Sequence, residues 1–215
     1  MAFRRSYGSR RRGGGLGGLK IRLLIGLAMV AFTFISYMAK TTVNPVTGES
    51  QRVGMSAENE IALGLQAIPQ MVEQHGGLHP DENSQMLVDQ IGQELLNQLE
   101  SKIKESGGVN PYKFEFHLLS DAKTVNAFAL PGGQVCITQA LYGQLETRGQ
   151  LAGVIGHEIG HVIARHGAQR LAKQKLTQGL VGAVGVAGGG YDSARIAQAV
   201  GKMINMKYGL SLIHI

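Results

Sequence analysis

Residues 151–166 read LAGVIGHEIGHVIARH, and this stretch contains the residues that indicate both the fold and the chemistry of the chain. Apolar residues recur through it at helical spacing, which predicts a helix with one buried face. Four residues turn an α-helix by about 400°, so the side chains of His157 and His161 emerge about 40° apart on the same face, one turn from each other. Glu158 stands directly beside the first of them.

Two imidazoles at this spacing can bind one metal ion, and zinc is the ion that suits imidazole ligands at a hydrolytic site. The pattern predicts a metal site with His157 and His161 as ligands, in which Glu158 removes a proton from water without being a ligand. A structural pair of histidines is the alternative. His166 lies nine positions after His157 and faces the opposite side if the helix continues, so we expect it to cap or pack.

The charge of the chain is unevenly distributed. The formal net charge is +6, yet residues 1–22 hold seven Arg or Lys and no acid, whereas residues 41–215 hold thirteen bases and fifteen acids. The folded part is therefore slightly acidic, and we expect no nucleic-acid partner. The single cysteine, Cys136, excludes an internal disulfide.

An uncharged run of seventeen residues, 23–39, comes after the basic tail. At 1.5 Å per residue a helix of this length reaches roughly 26 Å, near the lower limit for crossing a bilayer. The run predicts an uncleaved transmembrane anchor. The alternatives are a cleaved secretory signal, although no A-x-A pattern ends the run, and a buried core helix. The positive-inside rule predicts a cytoplasmic tail at 1–22 and an outer location, periplasmic or extracytoplasmic, for the residues beyond the anchor.

The rest of the chain predicts an α+β fold that is mainly helical with a small sheet. Residues 40–55 lack apolar periodicity and predict a linker, and residues 56–209 form the expected domain. Helices are expected from the N-cap Ser56, after the turn at 79–81, at 150–166, at 176–187 and at 194–206, and strands at 114–118 and 134–138. The apolar stretch 180–187 is too short for a second membrane span, so we expect a buried or loosely packed helix there.

The stretch NAFALPGG at 126–133, with a strand, a short helix and the histidine-containing motif after it, resembles the HtpX-like and CAAX-prenyl-protease-like zinc endopeptidases of the gluzincin clan. The segments NPVTGESQRV and QHGGLHPD are similar to those of its bacterial envelope members. The resemblance implies a membrane-anchored Zn²⁺ endopeptidase with a zincin-type fold and protein or peptide substrates. It also implies that a substrate strand adds beside the strand at 134–138, so the expected cleft residues are Gly133, Gln134, Val135, Cys136 and Ile137.

The resemblance further implies a third zinc ligand, a Glu on a later helix. No Glu occurs after Glu158, and Asp192 is the remaining downstream acid. Residues 210–215 do not resemble the family, so we expect the chain to be truncated there and residues 1–215 to hold zinc weakly. The expected function is hydrolysis of proteins at the cell envelope. The alternative is a membrane-anchored, chaperone-like binding module that keeps the fold without turnover.

Overall fold

The computed structural model of the protein describes residues 16–188. Most of these residues are helical, and two small sheets accompany the helices, so the predicted α+β class is confirmed. The described chain divides into two compact units. Residues 37–173 form one unit, and residues 16–36 together with 174–188 form the other.

Helix α1 (Leu16–Ala39) contains the apolar run of the predicted anchor. Within the described range it is the one helix long and apolar enough to cross a membrane, with a mean hydropathy of 1.9 over an 18-residue window within Gly18–Ala39. Large apolar side chains are exposed along it, including Leu24, Leu27 and Phe32. A helix that exposes apolar side chains in this way suits an apolar surrounding, although a signal sequence has the same features.

A β-hairpin stands where the sequence predicted an irregular linker. Strands β1 (Thr41–Val43) and β2 (Ser50–Arg52) pair antiparallel. Asn44 holds the turn, because its side-chain oxygen accepts the backbone N–H of Val46 at 2.8 Å. Its amide also donates to the carbonyl of Ile163 at 2.8 Å, which ties the hairpin to the end of a distant helix. The strands were not predicted because they are three residues long and largely exposed, and so show no alternation.

Two amphipathic helices come next, as the periodicity predicted. Helix α2 (Ala57–Gln74) begins at the predicted N-cap, where the Ser56 hydroxyl accepts the backbone N–H of Asn59. Helix α3 (Glu82–Glu105) begins after Asp81, whose carboxylate caps its first turn. It ends just before Gly107, whose φ of 74° is the left-handed conformation that glycine adopts without strain.

The main sheet contains strands β3 (Glu115–Leu119), β4 (Ala127–Leu130) and β5 (Gln134–Thr138). Their order is β3-β5-β4, with β3 parallel and β4 antiparallel to β5. The strands predicted near 114–118 and at 134–138 are therefore confirmed, whereas β4 was not predicted. Because β5 is the central strand, β4 lies at an edge of the sheet.

Three helices complete the described chain: α4 (Gln139–Tyr142), α5 (Arg148–Ile163) and α6 (His166–Gly188). The helix predicted at 150–166 ends at Ile163, and the one predicted from Leu176 begins ten residues earlier. The helix predicted at 194–206 lies outside the described residues. Helices α3 and α5 pack against the sheet, and their apolar faces form the core with it. Its members include Val88, Ile91, Phe116, Leu118, Val135, Ile137, Leu151, Ile155 and Ile159.

Candidate metal centre

Helix α5 carries the candidate site, and a cap and the core packing fix its position. At its start, Thr147 and Gln150 form a capping box, in which each side chain accepts a backbone N–H from the other's residue. Along the helix Leu151, Ile155 and Ile159 are buried in the core. This packing sets the rotation of α5 and turns the face that carries His157 away from the core.

The two predicted imidazole ligands lie together on that outward face. The ring centroids of His157 and His161 are 4.5 Å apart, with the rings close to perpendicular. The side chains of His157, Glu158 and His161 each present one possible ligand atom, and these atoms all lie within 4.8 Å of one another. The structure therefore brings together the three residues that the spacing singled out.

Glu158 is more deeply buried than His157 and His161, with 6% of its surface exposed. Burial raises the pKa of its carboxyl, and the nearby His157 and a hydrogen bond from the Ala129 backbone N–H partly oppose that rise. A carboxylate with a raised pKa is a better proton acceptor near neutral pH than an exposed one. The contact with Ala129 also places β4 beside the site.

Strand β4, and not β5, provides the sheet edge at the site. Both edges of β5 are paired, and Val135, Cys136 and Ile137 are completely buried, with Gln134 3% exposed. Gly133 packs against the backbone of Lys113. The structure therefore does not place the expected cleft residues 133–137 at the cleft, because a strand with two paired edges cannot accept a third.

The backbone of β4 presents hydrogen-bonding groups on its outer side. The N–H of Thr138 donates to the Asn126 carbonyl at 3.0 Å, which fixes the phase of the antiparallel ladder. Alternate residues of such a strand bond to the partner, so the N–H and C=O groups of Ala127 and Ala129 point away from β5. Within residues 16–188 no strand pairs with this outer edge.

His166 lies beside His161, contrary to the expectation that it would face the opposite side. The helix ends at Ile163, and Arg165 adopts a φ of 57°, which turns the chain before α6 begins. The Nδ1 atoms of His161 and His166 are 2.6 Å apart, so one ring donates a hydrogen bond to the other. Burial lowers the pKa of both imidazoles, which favours the neutral form that a metal ligand requires.

A buried ion pair that the sequence did not predict fixes the end of α5. The Arg165 guanidinium donates from Nε to Glu60 Oε1 at 2.8 Å, and the two side chains are only 3% and 2% exposed. Arg165 also donates to the Met55 carbonyl, while the Tyr112 hydroxyl donates to the second oxygen of Glu60. No local pattern signals a pair separated by 105 positions in the chain.

A shallow pocket lies next to the candidate ligands. It is bordered by β4 and the turn after it on one side and by the end of α5 on the other. Ala129, Leu130 and His161 line the pocket, together with the ion-paired Arg165 and Glu60. The pocket thus lies between the sheet edge and the imidazole of His161.

The donor set suits zinc. The described residues supply two imidazoles on one helix face and a buried carboxylate beside them, and the lowered pKa of His161 favours its neutral form. Imidazole nitrogen is a preferred zinc donor, and catalytic zinc sites combine such ligands with an open position for water. Asp192, the alternative to a carboxylate ligand beyond residue 215, lies outside the described residues.

The sequence is similar to that of known metallopeptidases. The model of peptidase family M48 matches residues 89–214. The mitochondrial metalloendopeptidase OMA1 of Schizosaccharomyces pombe is 25% identical over 151 residues, which cover 70% of this chain and 41% of the relative. The β-barrel assembly-enhancing protease of Escherichia coli K12 is 31% identical over 161 residues, which cover 71% of this chain and 32% of the relative. The chain thus spans less than half the length of these curated relatives.

Proposed function

The chain belongs to peptidase family M48, and on that premise we propose that it is a zinc-dependent endopeptidase that hydrolyses proteins at the cell envelope. The observation that carries the proposal is the convergence of three side chains on α5. His157 and His161 share one face, and Glu158 is buried between them and the free edge of β4. Endopeptidase chemistry needs this combination of a metal site, a base and a place for an extended peptide.

His157 and His161 are the residues that hold the ion. Zinc, when bound, supplies Lewis-acid chemistry toward the oxygens of water and of a peptide carbonyl. The neighbouring His166 hydrogen-bonds to His161 through Nδ1 and so holds the orientation of that ring. A fixed orientation of a ligand imidazole strengthens metal binding.

Glu158 is the proton carrier. Burial raises the pKa of its carboxyl, so the group can accept a proton from a water molecule at neutral pH and release it to the leaving amine. The Ala129 backbone N–H contacts the carboxylate and keeps it directed toward the β4 edge. Glu158 therefore needs no direct bond to the metal to perform this role.

The outer edge of β4 binds the substrate backbone. An extended peptide that lies along this edge can pair with the outward-facing N–H and C=O groups of Ala127 and with the carbonyl of Ala129. Such pairing uses the main chain and reads few substrate side chains. This mode suits a protease that acts on varied, locally unfolded proteins.

Helix α1 anchors the enzyme in a membrane. Its basic N-terminal flank, with seven positive charges before the apolar run, favours a cytoplasmic location for residues 1–22. Residues 41–173 then lie on the outer side. Protease added to spheroplasts should digest that region, and its protection would reverse the orientation.

The proposed activity is tested by the substitution Glu158→Gln in the full-length protein. Hydrolysis of an unfolded protein should fall about 10²- to 10⁴-fold, because a positioned base contributes that much. Glu94→Gln makes the same chemical change on an exposed side chain and should leave hydrolysis unchanged. Unaltered turnover in Glu158→Gln would exclude Glu158 as the base. Zinc-independent binding of unfolded protein without any turnover would favour the chaperone-like alternative.

A further inference from the structure

The last part of α6 packs against the candidate membrane helix. A Cβ built on Gly26 of α1 would lie 2.7 Å from the Cβ of Ala187 and 3.1 Å from the carbonyl oxygen of Ala183. Further along, Gly179 faces Thr33 so closely that a side chain at Gly179 would overlap it. The two helices are therefore in direct contact through positions that only small residues can occupy.

These contacts define an antiparallel pairing. Thr33 of α1 contacts Gly179 of α6. Gly26, which precedes Thr33 by seven residues, contacts Ala187, which follows Gly179 by eight residues. Gly26 lies three residues from the start of the apolar run 23–39. The end of α6 thus lies beside about half of the run, from the level of Thr33 to within about 5 Å of its basic end at 1.5 Å per residue.

The composition of this part of α6, like that of α1, suits an apolar surrounding. Residues 176–188 contain no charged residue. The face toward α1 is small, with Ala183 fully buried, whereas valines are exposed elsewhere on the helix, Val184 at 51% and Val186 at 37%. Small residues at a helix contact and apolar residues outside it are the arrangement of helices packed in a bilayer, where lipid covers the outer face.

We infer that residues 179–188 of α6 lie in the membrane beside α1, so that the chain enters the bilayer at a second place. The short length of the apolar stretch 180–187 argued against a complete span, but a segment that packs on an existing span does not need to cross by itself. Its partner on the outer face is the acyl region of a phospholipid bilayer. The inference goes beyond the proposed peptidase function and does not depend on turnover.

Tryptophan fluorescence can test the inference directly, because the chain contains no Trp. The full chain is reconstituted into phosphatidylcholine vesicles with ordinary or brominated acyl chains, and bromine quenches a tryptophan only on contact. Val184→Trp places the fluorophore on an exposed face of α6. Phe32→Trp, at a position 75% exposed on α1, reports whether the anchor itself is in lipid, and Val125→Trp is the control at a position 51% exposed in the other unit.

We expect brominated lipid to quench most of the fluorescence of Val184→Trp and Phe32→Trp, with blue-shifted emission from both, and to leave Val125→Trp unchanged. Val186→Trp provides a second reporter on α6 and should be quenched as well. If Phe32→Trp is quenched while both α6 reporters are not, α1 lies in the bilayer but α6 does not, and the inference is wrong. If Phe32→Trp is also unquenched, the anchor and the second membrane contact both fail. Zinc binding and hydrolysis are measured separately and decide the proposed function alone.

Discussion

Replacing Glu60 by Gln removes the negative charge from an ion pair that is almost completely enclosed. The guanidinium of Arg165 makes both of its contacts with Glu60 at the Oε1 atom, and its remaining partners are neutral oxygens, the Met55 carbonyl and the Thr42 hydroxyl. Gln keeps the shape and one acceptor oxygen but leaves a buried cation without a counter-charge. Breaking a buried pair in this way costs about 3–5 kcal/mol of unfolding free energy.

The size of the effect distinguishes this pair from a surface contact. Glu94 pairs with Arg148 at 3.2 Å, but both side chains are more than half exposed. Glu94→Gln should therefore cost about 0.2–1 kcal/mol. Since each kcal/mol shifts the melting temperature of a domain of this size by about 2–4 °C, Glu60→Gln should lower it by roughly 6–20 °C.

Thermal unfolding of the detergent-solubilised chain, monitored by circular dichroism, measures both variants against the wild type. Because the pair holds the turn after α5, the loss of stability should include the segment that carries His161. Equal and small shifts for Glu60→Gln and Glu94→Gln would refute the claim that the pair is enclosed and fixes this turn.

Two further outcomes are expected from the contacts of the described residues. His166→Ala should weaken zinc binding about ten-fold or more in a chelator competition, because it removes the group that orients the His161 ring. Asp121→Asn should lower the free energy of unfolding at neutral pH, since the Thr124 backbone N–H and His75 hold the pKa of the Asp121 carboxyl well below its usual value. Because a depressed pKa stabilises fully only above the unfolded value of about 3.9, urea titrations should show the difference shrinking as the pH falls below that value.

Helix α5, which carries the candidate metal site, could be predicted because all its information is local. The spacing of His157 and His161 determines that they share a face, and the apolar positions of α5 determine which face is buried. Helices α2 and α3 could be predicted for the same reason, because their apolar periodicity and their capping residues indicate where they lie in the sequence. Each of these conclusions depends on residues within a few turns of one another.

The surroundings of the site depend on contacts that one sequence does not reveal. The turn that brings His166 to His161 depends on Arg165, a residue without the usual preference for positive φ, held by Glu60 from a distant helix. Strand β4 is four residues long and half-buried throughout, so Ala127–Leu130 shows no alternation. The choice of β4 over β5 as the edge depends on the strand order, which periodicity does not determine.

The most direct test of the metal centre is the zinc affinity of three variants, measured by competition with a chromophoric chelator. His157→Ala and His161→Ala should lose most of the wild-type affinity because each removes an imidazole donor. Glu158→Gln should retain it, since the role proposed for Glu158 is proton transfer and not ligation of the ion. A loss of zinc in Glu158→Gln as large as that in His157→Ala would contradict this assignment and make Glu158 a ligand.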